Sequence, residues 1–92
     1  MYRFYSNNFT TVATEDLMAQ FRTECGEASA CLKSATLVSD AELHVSINGG
    51  VSSLLFLDSD GSYKLTLPLG YVNISSMITD ESGATVWLAG VY

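Results

Sequence analysis

From Ala41 to Tyr92, apolar and polar residues alternate in short runs separated by turn clusters. Leu43, Val45 and Ile47 alternate with Glu42, His44 and Ser46, the period of two that marks a half-buried strand. Asn48-Gly49 follows, a strong signal for a tight hairpin because both residues tolerate positive φ. The chain returns through Val51–Leu57, where Leu54-Leu55-Phe56-Leu57 is apolar on both faces. Such a run predicts burial on both sides, or one face kept for a partner. Asp58-Ser59-Asp60-Gly61 reads as a second turn. Tyr63, Leu65 and Leu67 then alternate with Ser62, Lys64 and Thr66, and Pro68 ends that strand or places it at an edge. Gly70 allows another change of direction. Tyr71–Thr79 reads as a further strand, with Val72, Ile74 and Ile78 on one face. Asp80-Glu81-Ser82-Gly83 turns the chain again. Ala84–Tyr92 closes it, with Trp87 and Val91 on one face and Val86, Leu88 and Tyr92 on the other. Strands at this spacing predict a mainly β fold, a small antiparallel β-sandwich or barrel-like domain.

The first forty residues carry a weaker pattern. Tyr2–Tyr5 and Phe9–Ala13 read as two short strands around Ser6-Asn7-Asn8, an N-terminal arm or hairpin over 1–13. A short helix is predicted over 14–26. Thr14 is its N-cap, Glu15 and Asp16 lie in its first turn, and Leu17, Phe21 and Cys25 share one face. Gly26 ends it. The rival reading is an extended segment or hairpin, because Thr10–Val12 and Thr36–Val38 favour strands. No repeat or linker divides the chain, so 1–92 is read as a single domain with antiparallel strands over 41–92.

Composition shifts the picture toward assembly. Of 92 residues, 48% are hydrophobic and 15% charged, against about 25% charged in an average soluble domain. A chain this short has a small interior. The apolar excess therefore predicts a homo-oligomer or docking on other protein subunits, the alternative being a compact monomer. Ten acidic residues oppose four basic ones. Arg3, Arg22, Lys33 and Lys64 form no cluster, which excludes a phosphate-backbone reader: no nucleic acid partner is expected. No run approaches the length of a membrane span, so no membrane is expected either. The opening Met1–Asn7 lacks the apolar core of a signal peptide, which predicts production in a cytoplasm. Cys25 and Cys31 read as ordinary thiols, with a local disulfide around Gly26–Ala30 as the sharper alternative.

Candidate chemistry is sparse. Asp58-Ser59-Asp60-Gly61-Ser62 resembles the opening of a calcium loop, but the position that should hold a bidentate Glu is Leu69, so a plain turn is expected and no metal. His44 stands on the polar face of a strand without a nucleophile and an orienting group at a telling spacing. No catalytic residue, cofactor or enzymatic activity is predicted. Asn8-Phe9-Thr10 and Asn73-Ile74-Ser75 match the glycosylation acceptor pattern, which is short enough to arise by chance. The aromatic residues carry more weight: exposed, they suit a protein interface or a sugar ring. Trp87 is assigned to the core. Tyr2, Phe4 and Tyr5, together with Leu54 and Phe56, are the candidate interface.

The strand-and-turn segments His44-Val45-Ser46-Ile47-Asn48-Gly49, Gly61-Ser62-Tyr63-Lys64-Leu65, Val72-Asn73-Ile74-Ser75-Ser76-Met77 and Trp87-Leu88-Ala89-Gly90-Val91-Tyr92 give residues 41–92 their character. This part resembles small bacteriophage virion structural proteins: head decoration, head fibre, neck and tail modules. The resemblance implies a non-enzymatic component of a virion, produced in the host cytoplasm, that decorates or joins capsid or tail subunits. The alternative is a small acidic intracellular binding protein or inhibitor, encoded by a phage and acting on a host protein, since a negative surface steers such binding.

Overall fold

The alternation read from the sequence is realised as strands that all pair antiparallel. The computed structural model describes residues 2–50, 53–70 and 73–92. In chain order the elements are β1 (Phe4–Thr10), α1 (Leu17–Cys25), β2 (Ser34–Ser39), β3 (His44–Ile47), β4 (Ser53–Leu54), β5 (Phe56–Leu57), β6 (Tyr63–Leu67), β7 (Met77–Thr79) and β8 (Thr85–Val91). Among the described residues they form a five-stranded sheet of order β1-β8-β2-β6-β5 and a three-stranded sheet of order β4-β3-β7. The fold is a small mainly β, sandwich-like domain with one short helix.

Period-two burial fills the space between the sheets. The larger sheet contributes Ala35, Leu37, Val86 and Leu88; the smaller contributes Val45 and Met77, with Leu43 just before β3. Leu55, also buried, sits where the chain leaves β4 for β5 and so passes from one sheet to the other. Its N–H donates to the Leu43 carbonyl at 3.2 Å, the last bond to the smaller sheet before the crossing. The helix buries Leu17, Met18 and Phe21. Phe21 lies between Tyr5 and Tyr92, edge-on to both, with ring centroids 4.8 and 5.1 Å away.

The turns fall where the composition placed them. Asn48 and Gly49 both have positive φ, 54° and 73°, and the Gly50 N–H closes the turn on the Ile47 carbonyl at 3.0 Å. This is the primed geometry that matches strand twist. Asn48 does more than turn. Its Oδ1 accepts from the Ser75 N–H at 2.7 Å and the Ser76 N–H at 3.2 Å, and its Nδ2 donates to the Asn73 carbonyl at 2.9 Å.

Four expectations change. Residues 2–13 do not form two strands around Ser6-Asn7-Asn8. β1 runs straight through them, because β8 offers an unbroken seven-residue partner. Asn7 is accommodated by its bond to the Glu24 carboxylate. The helix is shorter than 14–26, and Thr14 does not cap it. Thr14 has φ 68°, while Asp16 takes the extended cap conformation and accepts from the Met18 N–H at 2.9 Å. The strand-forming rival proves right for Thr36–Val38, which lie inside β2. Of the strand expected over Tyr71–Thr79, the described residues show β7 alone, Tyr71 lying outside them. Ile74 is buried in a bridge to Leu32, but Ile78 is exposed, because the Asn48 clamp on Ser75 and Ser76 resets the alternation between them. Val72 lies outside the described residues.

Candidate interaction face

One surface of the five-stranded sheet covers the core, and the other is turned to solvent. In antiparallel pairing, residues directly opposite one another share a face. Following the register across the sheet places Asn8, Trp87, Val38, Lys64 and Phe56 in one transverse row on the outer face. A second row sets Phe4 beside Val91 and Ser34, and Ser6, Ala89, Thr36 and Thr66 lie between the two. Three large apolar side chains stand out of this face: Phe4 at 88% exposure, Phe56 at 74% and Trp87 at 52%.

Trp87 is therefore not a core residue, contrary to the expectation from its size. Its neighbours Val86 and Leu88 are buried, and strand geometry sends residue 87 the other way. The indole N–H donates to the Ser6 hydroxyl at 2.8 Å, tying the ring down toward β1. Shallow depressions flank it. One of about 250 Å3 lies among Phe4, Ser6, Thr36, Ala89 and Val91. Another of about 220 Å3 lies among Asn8, Val38, Asp40, Thr85 and Trp87.

The five candidate interface residues are not brought together. Phe4 and Phe56 share the outer face, on opposite edge strands of the larger sheet. Tyr5 points inward, packed on Phe21, and its hydroxyl donates to the Glu24 carboxylate. Burial and that carboxylate push the Tyr5 phenol well above its ordinary range, while the phenol's hydrogen bond holds Glu24 below its own. Leu54 belongs to the smaller sheet. Tyr2 is exposed beside Lys33, Leu69 and Asn73, at the mouth of a cleft of about 330 Å3. Trp87, the residue missing from the expected interface, was legible in the alternation of β8 once the inward side was known.

The other candidates resolve into local structure. In the Asp58–Ser62 turn, Lys64 Nζ donates to Asp58 at 2.8 Å and to Asp60 at 3.0 Å. Asp60 also accepts from the N–H and hydroxyl of Ser62. Hydrogen bonds from Lys64 and Ser62 hold both carboxyls below the usual range. Among the described residues no group of three or more His, Cys, Asp and Glu side chains gathers as a metal site. His44 does have an orienting group, which sequence spacing did not reveal: Asp80 lies 3.0 Å from Nδ1 and accepts from the His44 N–H at 2.7 Å. The β3–β7 pairing brings the two together. Among the described residues no Ser, Thr or Cys side chain bonds to the imidazole. Cys25 and Cys31 are both free, their thiols directed to the carbonyls of Arg22 and Ser29. Asn8 of the first acceptor pattern lies in β1; Asn73 of the second is tied to Asn48 through its carbonyl.

The described residues contain no helix long and apolar enough to cross a membrane. The chain matches no protein-family model, no curated protein and no solved structure.

Proposed function

We propose that this chain is a non-enzymatic assembly protein of a bacteriophage particle, which decorates or joins capsid or tail subunits through the outer face of its five-stranded sheet. The row of Trp87, Val38 and Phe56 on that face is the observation that supports the reading. Isolated exposed apolar residues are ordinary, but large ones gathered on one sheet face favour a covered surface. Docking on a repeating lattice buries the same face many times over. Ser6, Thr36 and Thr66 between the rows give such a contact hydrogen bonds, and the charge of Lys64, which stands between Val38 and Phe56, is met by Asp58 and Asp60. The test is incorporation. Peptides of this chain are sought by mass spectrometry in purified particles, and Trp87→Ser protein is compared with the parent. The expected result is stoichiometric incorporation of the parent and loss of the folded variant. Equal incorporation of the two, or absence of the parent from particles, overturns the proposal.

A further inference from the structure

We propose that a second copy of this chain pairs with the open edge of β1, joining two five-stranded sheets into one about a two-fold axis at Asn7. The inference deepens the assembly reading above by naming one partner and the main-chain contact that holds it.

β1 ends the strand order of the larger sheet. Arg3 and Tyr92 exchange both backbone bonds, Arg3 N–H to Tyr92 O at 2.8 Å and Tyr92 N–H to Arg3 O at 2.9 Å. Hydrogen-bonded and non-hydrogen-bonded pairs alternate along an antiparallel ladder. Tyr5, Asn7 and Phe9 therefore spend their backbone groups on β8. Phe4, Ser6, Asn8 and Thr10 turn theirs to the open edge, and all four are exposed. Among the described residues, the bond engaging these outward groups is Asn8 N–H to its neighbour's Asn7 Oδ1, at 2.8 Å. Natural edges are guarded by brevity, proline, lysine or a bulge. β1 has seven residues, Phe-Tyr-Ser-Asn-Asn-Phe-Thr, and none of these guards.

The sequence of the edge selects the occupant. The chain carries a net charge of −6, yet Phe4–Thr10 contains no charged residue. A charged partner strand finds no counter-charge within β1, whereas the same uncharged strand from a second copy brings no like charge of its own to the edge. Antiparallel self-pairing centred on Asn7 also matches every outward group. Phe4 faces Thr10 of the second copy and Ser6 faces its Asn8, each as a hydrogen-bonded pair, with Asn7 on the axis. No other central residue engages all four outward positions of both copies. The same pairing extends the outer face, so that Phe4 and Trp87 of both copies lie on one side of the joined sheet.

The test combines light scattering with residue-resolved amide exchange on the full chain, from micromolar to millimolar concentration. The mass is expected to double as concentration rises. The amides of Phe4, Ser6 and Thr10 gain protection with it, while those of Tyr5 and Asn7 stay protected throughout. Ser6→Pro removes one outward N–H and none of the main-chain bonds to β8, though it also frees the Trp87 indole from the Ser6 hydroxyl, and is expected to remain monomeric. Asn8→Asp sets two carboxylates diagonally across the axis, about 7–8 Å apart, without constraining φ, and is expected to weaken the dimer at least about tenfold, with recovery in salt. A monomer at every concentration, a dimer in which the amides of Phe4, Ser6 and Thr10 stay unprotected, or an Asn8→Asp protein as dimeric as the parent overturns the inference. Trp87→Ser is expected to leave this dimer intact, so the edge and the outer face fail separately.

Discussion

Asp16 Oδ1 accepts from the backbone N–H of Met77 at 2.8 Å while the same oxygen caps the helix through the Met18 N–H at 2.9 Å. One carboxylate oxygen thus satisfies a donor of α1 and a donor of β7, and fixes the helix to the smaller sheet. Loss of an N-cap costs about 1 kcal/mol. An orphaned, partly buried N–H costs about 1–3 kcal/mol more. Asp16→Ala is therefore expected to destabilise the fold by roughly 2–4 kcal/mol in chemical denaturation. Asp16→Asn keeps the acceptor and should recover most of that loss. Equal losses in the two variants would show that the carboxylate charge, rather than the acceptor, holds the junction.

Gly49 has φ 73°, in the left-handed region, and a Cβ built there meets nothing within 4 Å. A substitution at this position therefore pays for backbone conformation alone. Left-handed backbone costs an L-residue about 1–2 kcal/mol, and a β-branched one more. Gly49→Val is expected to lower stability by about 2 kcal/mol, and Gly49→Asn by much less. Thermal unfolding of the two variants beside the parent checks the difference.

The turn at Asn48-Gly49 was legible because local chemistry alone demands it. The same holds for the alternation of Leu43, Val45 and Ile47, and for the helix stop at Gly26, which takes φ 76°. What stayed hidden depends on partners distant in sequence. β1 reads as two pieces until β8 is placed beside it, and His44 has no orienting group until β7 brings Asp80. At the candidate face, alternation alone put Trp87 opposite Val86 and Leu88 but could not say which side held the core. Size argued for Trp87, and the pair Val86 and Leu88 won. Tyr5 was misplaced for the converse reason, since nothing local shows that Phe21 waits beneath it.

Acid should unfold this protein through identifiable carboxylates. Glu24 is held below its ordinary pKa by the Tyr5 hydroxyl and Asn7, and Asp80 by the His44 N–H. Asp58 and Asp60 are lowered by Lys64 and Ser62 respectively. A carboxyl lowered by folding adds stability above its unfolded pKa, near about 4, and loses it as pH falls through the folded value. The melting temperature is expected to hold between neutral pH and about pH 5 and to fall below about pH 4. Tyr5→Phe, which removes the strongest donor to Glu24, should flatten that decline. The Tyr5 phenol is raised in the fold, so its contribution has the opposite sense, present below about pH 10 and lost above.

At Gly90, β8 leaves no room for a side chain against the start of β2. A Cβ there would stand 2.1 Å from the Ser34 carbonyl oxygen and 3.2 Å from Leu32 Cδ2. The first contact is with backbone, so relief requires the strands themselves to part. Gly90→Ala is expected to destabilise by about 2–4 kcal/mol, the upper part of the usual cost of overpacking or somewhat more. Gly83→Ala, where nothing lies within 4 Å but φ is 85°, carries a backbone cost that Gly90 does not and serves as a comparison free of crowding. A Gly90→Ala protein that melts no lower than Gly83→Ala would mean that β2 and β8 can separate freely.

The two-sided apolar run Leu54–Leu57 yields the sharpest contrast between adjacent residues. Leu55 is 1% exposed and packs in the core, at the point where the chain crosses between sheets. Phe56, one residue on, is 74% exposed on the outer face. Truncating a buried leucine removes its transfer energy and leaves a cavity, at about 2–5 kcal/mol. Truncating an exposed residue usually changes stability by no more than about 0.5 kcal/mol. Leu55→Ala is therefore expected to lower the denaturation midpoint sharply, whereas Phe56→Ser should unfold with the parent. Phe56→Ser thus serves as a folded probe of the outer face, and any loss of association it causes cannot be blamed on unfolding. Should Phe56→Ser melt far below the parent as an isolated monomer, residue 56 would belong to the interior. The row from Trp87 to Phe56 would then no longer be a surface for other subunits.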